Sequence, residues 1–293
     1  MSSNLVTLVN TAVVPAGLTC IMFGMGLSLQ ARDFREVLRA PALVATGLAG
    51  QLILMPALAL LVIALFRPPP AMAFGLFALA ICPAGTTSNA LTFAGNGNVA
   101  LAVALTALSS LITVFTIPLL LTWALPHFLG GGNAPSVPMG HTMWQLARIT
   151  LIPVGLGMLI RVVAPETASA LGRWLRPASW VVLICVIGIS LAISADLVLS
   201  NLTRAGPAIW VLNAAGMGAG LVLAKLIGAS QRDSMTLAIE IGVHNATMAT
   251  FLTLSVLKSI ELAITPTLYG CVMVLNATLL IRVFANRTPL VAT

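Results

Sequence analysis

Residues 238–252 read AIEIGVHNATMATFL: a glutamate, a histidine and an asparagine crowd into six positions of an otherwise apolar run. The rest of the chain makes that run a membrane span. Of 293 residues, 59% are hydrophobic and only 7% charged, and the mean hydropathy is +1.07. A soluble domain carries roughly 25% charged residues, so this chain cannot cover a water-facing surface and belongs in a bilayer. Glu240 lies about eight residues in from Arg232, roughly 12 Å deep at 1.5 Å per residue, in a hydrocarbon core of about 30 Å. A charge at that depth costs several kcal/mol unless it is paired. No Lys or Arg sits at comparable depth in the second half, so the expected countercharge is a bound cation. The oxygen-bearing neighbours suit a hard monovalent ion such as Na⁺ better than a transition metal.

Working outward, hydrophobicity recurs in helix-length stretches rather than ten-residue alternation, which excludes a β-barrel. The expected architecture is an all-α polytopic membrane protein with nine transmembrane helices, A to I. They fall at about 8–29, 41–66, 71–95, 98–125, 142–163, 178–198, 206–228, 233–257 and 263–284. A Gly/Pro-rich loop at 126–140 separates D from E. The whole of 1–293 reads as a single transmembrane domain with no soluble appendage, and the first apolar stretch as a retained span rather than a cleaved leader.

The net charge of +7 reports topology rather than nucleic-acid binding, because the basic residues fall at span ends. Arg32, Arg35, Arg39, Arg161, Arg173, Arg176, Lys225, Arg232, Arg282 and Arg287 collect on one side; Arg67, Arg204 and Lys258 take the other. Ten against three orients the N-terminus outside and the C-terminus in the cytoplasm of a cell-membrane protein. The five tryptophans lie near span ends, as interfacial belts require. Cys20, Cys82, Cys185 and Cys271 lie in apolar runs without metal-ligand spacing and read as packing residues, not disulfides.

Span C carries GTTSNALTFA and span H carries GVHNATMATF. Each has a glycine, then polar residues, then Asn-Ala, then an apolar run. Thr116 and Pro118, and Thr265 and Pro266, mark the span that follows each. These echoes suggest a first repeat over 8–125 and a second over 178–284. Span 142–163 stays unpaired between them, so the repeats are inverted. Polar interruptions in matching positions of inverted repeats point to a transporter binding site. In CPAGTTSNA (82–90), Pro83 stops one half-helix and Gly85 permits unwound backbone. Thr86, Thr87, Ser88 and Asn89 then open the next half. Free carbonyls at such a break suit a cation, and free amides suit an anion.

Other polar residues have plainer readings. Thr116, Thr265 and Ser109 are expected to tie neighbouring helices together, Arg148 to snorkel to the interface, and Asp196 to be solvated. His127 and His141 fall in loops. An intramembrane metalloenzyme would need more strong ligands than one Glu–His pair, and no HExxH is present.

The stretch CPAGTTSNALTFAGNGNVALAVALTALSS resembles the signature of the bile acid:sodium symporter family, a Pro/Gly turn, Ser-Asn, and Gly-Asn before an Ala/Leu-rich helix. AIEIGVHNATMA resembles the family's second signature, Glu-x-Gly-x-Gln-Asn. IMFGMGLSLQARDF (21–34) and QLILMPALAL (51–60) are also similar to family stretches. The resemblance implies panel and core domains, with two discontinuous helices crossing at the centre. It implies a first sodium site of Ser88, Asn89, Thr106 and Glu240. A second would use Gln51, Glu240, backbone near Ile241 and Val243, and His244. Thr86, Thr87, Asn245 and Asn276 would face the substrate. Ala102 stands where many relatives have serine, and His244 where glutamine is usual, so one or two sodium ions, or a sodium and a proton, remain open. The expected protein is a monomeric, non-enzymatic, sodium-driven symporter of bile acid-like or small carboxylate anions. The alternative is a proton-coupled carrier using Glu240 and His244.

Overall fold

The computed structural model describes residues 8–30, 39–130, 138–193 and 195–285, and every regular element among them is helical. In chain order these are α1 (Thr11–Ser28), α2 (Pro41–Phe66), α3 (Pro70–Ala80) and α4 (Thr86–Ala94). Then come α5 (Val99–Leu129), α6 (Met139–Val163), α7 (Pro165–Ile193) and α8 (Ala195–Leu226). The last are α9 (Gln231–Gly242), α10 (Ala246–Phe251) and α11 (Ile260–Ala285). Seven helical stretches among the described residues are long and apolar enough to cross a membrane. They coincide with expected spans A, B, D, E, G, H and I. The chain is a multi-pass membrane protein.

Span C arrives as two short helices, α3 and α4. Expected span F overlaps α7 only as far as Ile193, and α7 differs from expectation at both ends. Helix resumes at Pro165, directly after α6, and α8 already begins at Ala195, ahead of expected span G. Hydropathy marks only the part of a helix that sits in hydrocarbon. Nothing in PETASALGRWLR or in DLVLSNLTR breaks the backbone, so both polar stretches stay helical.

Prolines shape the long helices. Widened π-turns at Val9–Val13, Gly50–Leu54 and Ala147–Leu151 each come just before Pro15, Pro56 or Pro153. Proline lacks the N–H that would reach back four residues and crowds that carbonyl, and a π-turn absorbs the missing bond. Gln51 sits in one of these turns.

Around the outside, Ile53, Phe115, Val163 and Leu226 are 70%, 56%, 74% and 75% exposed, the lipid-facing surface of a membrane bundle. Trp123, Trp144, Trp174 and Trp210 are exposed as well; the side chain of Trp180 lies outside the described residues. Trp123 stacks on His127, with ring centroids 4.8 Å apart. Arg148 is exposed, while the side chain of Asp196 is outside the described set.

At the centre the pattern inverts. Every residue from 235 to 254 is buried, so the span that carries Glu240 touches protein, not lipid. Its close packing against α8 depends on Gly220: a Cβ there would lie 2.6 Å from Ala238 Cα and from Leu237 O. The α4–α5 turn is clamped onto the start of α9. Asn98 Nδ2 donates to Asp233 Oδ1 at 2.8 Å, and Arg232 Nε to the Asn96 carbonyl at 3.0 Å. Thr265 ties α11 to α3 by donating to Met72 O at 3.1 Å. Ser109 does not tie helices as expected; it bonds back to Thr106 O within α5, at 3.2 Å, the local alternative open to any helical serine. The four cysteines are unpaired.

Candidate functional site at two meeting helix breaks

The α3–α4 break and the α9–α10 break meet. Pro83 lacks an N–H and Gly85 is extended, so Cys82 and Pro83 present carbonyls instead of continuing the helix. Asn245 N donates to Pro83 O at 2.8 Å, and His244 Nδ1 lies 2.7 Å from Cys82 O. His244 Nε2 lies 3.0 Å from Ile241 O, at the end of α9. The second half of the α9–α10 pair is capped by a side chain, and in the α3–α4 pair Ser88 bonds back onto the break. Asn245 Oδ1 accepts from Met248 N at 2.9 Å, and Ser88 Oγ donates to Gly85 O at 2.7 Å. Backbone without helical partners at mid-membrane depth is thus satisfied by the opposing break.

Glu240 stands in the last turn of α9, fully buried. Its Oε2 accepts from Thr106 Oγ1 at 3.0 Å and from Gln51 Nε2 at 3.2 Å. Thr106 Oγ1 is also 3.3 Å from Asn89 Oδ1. One hydroxyl proton therefore faces two acceptor oxygens. Glu240 Oε1 and Gln51 Oε1 are buried with no hydrogen-bond partner. Oxygen lone pairs exceed donors at this point, and a cation answers such a surplus. No group of three or more His, Cys, Asp or Glu among the described residues offers a transition-metal site. Ala102 is buried in the same part of α5 and contributes no oxygen. Substituting Thr106 by valine removes one of the donors to the carboxylate; if a cation answers the oxygen surplus, its affinity measured by titration with sodium is expected to fall about tenfold.

Behind the α9 break lies a network that sequence reasoning did not find. Asn213 Nδ2 and Tyr269 OH both donate to Gly242 O, each at 2.8 Å, and Asn276 Nδ2 donates to Asn213 Oδ1 at 2.7 Å. Asn276, expected from the resemblance to face the substrate, donates into this network and is not among the described residues lining the cavity described next. The signal was present: Tyr269 is the only tyrosine in the chain, and Asn213 is a lone amide in an apolar span.

On the other side the breaks border a cavity of about 610 Å³. Thr86, Thr87, Asn89 and Asn245 give it a polar floor, and Ile21 and Phe93 belong to its apolar wall. Asn245 Nδ2 is buried without a partner, a donor at the cavity wall. No Lys or Arg is among the described lining residues. Glu240 and Asn245 thus lie on the two sides of the α9–α10 break, the carboxylate in the buried cluster and the amide at the cavity wall.

A profile of the sodium bile acid symporter family matches residues 15–201. The chain belongs to that family. It is similar to the uncharacterized sodium-dependent transporter YocS of Bacillus subtilis, with 32% identity over 77% of this chain and 68% of that one. It is similar to the probable chloroplastic sodium/metabolite cotransporter BASS1 of Oryza sativa subsp. japonica, with 32% identity over 80% of this chain. The match spans 57% of that plant protein's length. The human ileal sodium/bile acid cotransporter is 26% identical over 83% of this chain and 69% of its own. The sodium bile acid symporters are a transporter family, which removes the intramembrane enzyme from consideration.

Proposed function

We propose that this protein is a sodium-coupled secondary transporter of organic anions, bile acid-like molecules or small carboxylates. The observation that carries the reading is the oxygen surplus around Glu240, enclosed in protein with Glu240 Oε1 and Gln51 Oε1 unpaired. Sodium is cargo here. One ion would be held by Ser88, Asn89, Thr106 and Glu240. A second would use Gln51, Glu240 and the carbonyls of Ile241 and Val243 beside His244. Thr86, Thr87 and Asn245 would hold the anion through hydroxyl, amide and half-helix donors. Coupling follows from position: Glu240 and Asn245 flank the same break, so a cation that orders one orders the other. Nine spans, inverted repeats, panel and core bodies, a monomer, and an extracellular N-terminus with a cytoplasmic C-terminus complete the reading. The charge asymmetry and the polar echoes of the sequence support it.

The test is a sodium concentration jump on proteoliposomes adsorbed to a solid-supported membrane, with taurocholate and a panel of small carboxylates. A transient current that needs both sodium and one of the anions is expected. Uptake that follows the proton gradient and ignores sodium would overturn the sodium reading.

A second reading rests on His244. A neutral imidazole donates through one ring nitrogen only, yet both nitrogens face carbonyl oxygens, Cys82 O from the α3 side and Ile241 O from α9. An imidazolium would donate to both. In this reading His244 supplies one coupling charge beside Glu240, and a proton travels with or in place of a sodium ion. His244→Gln is then expected to flatten the pH dependence of transport and to raise the Hill coefficient for sodium. An unchanged pH profile in that variant would remove His244 from the coupling.

A further inference from the structure

The central cavity has no positive side chain among its described lining, but a neighbouring one does. A second cavity of about 390 Å³ opens where the end of α1 meets α6 and α7. Ser28 and Gln30 line it from α1 and the residues just after it, Arg161 from α6, and Ser169, Gly172 and Arg173 from α7. Gly24 and Ser28 belong to the walls of both cavities, so the two adjoin across a single turn of α1.

The local geometry orients the charge. Ser169, Gly172 and Arg173 stand at i, i+3 and i+4, one face of a helix. A Cβ at Gly172 would meet nothing within 4 Å, so that face has open space between its serine and its arginine. Arg161 Nη1 donates to Ser169 Oγ at 2.7 Å and to Pro165 O at 3.4 Å. Ser169 Oγ in turn donates to Pro165 O at 2.8 Å. These bonds hold one nitrogen of the guanidinium fork and leave its other donors for a ligand. No carboxylate is among the described lining residues.

We infer that Arg161 and Arg173 form an oxyanion subsite, for a carboxylate or phosphate head group, at the arginine-rich mouth of the central cavity. The inference rests on the reading that the central cavity carries an anion. Guanidinium forks match the geometry of carboxylate and phosphate. The central floor offers only neutral donors, so it holds an anion without a fixed countercharge. A fixed positive pair one turn away concentrates anions at the mouth and receives them as they leave. The shared wall at Gly24 and Ser28 assigns the subsite to the travelling anion; an anionic lipid head group carries the same chemistry and is separated by the test.

The test uses full-length protein in a neutral detergent without sodium. Potassium phosphate is titrated against potassium chloride at matched ionic strength, and thermal unfolding is read. A phosphate-specific rise is expected for the native chain. Apparent phosphate affinity should fall about tenfold or more in Arg173→Gln and in Arg161→Gln, and stay unchanged in Arg148→Gln. Sodium-induced stabilisation, read on the same samples, should survive in both arginine variants and shows that they fold. Absence of a sodium response in the native chain, with the phosphate response intact, would sink the sodium-coupled reading and leave the subsite standing. No phosphate-specific rise in the native chain, or an equal rise in both variants, overturns the subsite. In phosphatidylcholine nanodiscs the phosphate response should persist. If added phosphatidylglycerol abolishes it through Arg173, a lipid head group is the occupant and the assignment to the travelling anion is overturned.

Discussion

Glu240→Gln is expected to abolish the sodium-specific rise in thermal stability, while the sodium-free variant unfolds at a temperature equal to or above that of the native chain. Both halves follow from the surroundings of the carboxylate. Without sodium, the native protein holds a fully buried carboxylate with only neutral groups around it among the described residues, Gln51 Nε2 and Thr106 Oγ1 donating to it. An unpaired charge at that depth costs several kcal/mol. The amide keeps the shape and an acceptor for those two donors but removes the charge, so the sodium-free variant gains. With sodium the order reverses. A ligand at a hundredfold excess over its Kd stabilises by about 2.7 kcal/mol if it binds only the folded state, and the variant forgoes all of it. The measurement is thermal unfolding of native and variant chains in sodium and in choline. A sodium-specific shift retained by the variant would remove Glu240 from the cation site. A variant several degrees less stable than native in choline would make the carboxylate a structural group.

Gly220→Val is expected to cost about 3 kcal/mol or more of stability. The obstacle is backbone rather than side chain. A Cβ at this position would stand 2.6 Å from Ala238 Cα and Leu237 O, and α9 cannot retreat because residues 235–254 are enclosed on every side. Any displacement of α9 also carries Glu240 away from Gln51 and Thr106, so sodium binding should fail together with stability. Gly218, two residues earlier on the same helix, is the control: a Cβ there meets nothing within 4 Å. Gly218→Val should stay within about 1 kcal/mol of the native chain, the intrinsic helix-propensity range. Thermal unfolding of the two variants side by side decides the matter; equal losses would mean that helix propensity, and not the contact with α9, sets the cost.

Much of the site could be read before any fold was known, for one reason. A polar group in a membrane span has no solvent to justify it, so Glu240, His244, Asn245 and the Thr86–Asn89 run stand out against apolar neighbours. The same contrast located seven spans to within a few residues. It failed where the helix leaves hydrocarbon, at the starts of α7 and α8, because hydropathy has no signal for a polar helix at the interface. Asn276, which resemblance placed at the substrate, donates to Asn213 Oδ1, a pairing that hydropathy does not report because it depends on which helix faces it. Arg161 and Arg173 counted only as topology markers in the sequence. Their convergence on one cavity with Ser28 needs α1, α6 and α7 to be brought together.

Composition and pattern determined by themselves that the chain is a helical membrane protein, that two of its spans are interrupted, and that a carboxylate sits deep in one of them with no basic residue at comparable depth. Those are properties of single segments in a given solvent. Tertiary structure alone decided that the two interruptions satisfy each other through Pro83, Cys82, His244 and Asn245, that Gln51 is turned onto Glu240 from a π-turn, and that Gly242 is held by Asn213 and Tyr269. These are pairings between residues far apart in the chain. Within lipid no apolar driving force distinguishes one helix neighbour from another, so close backbone approach and mutual hydrogen bonding choose the partners, and neither is written in any one segment.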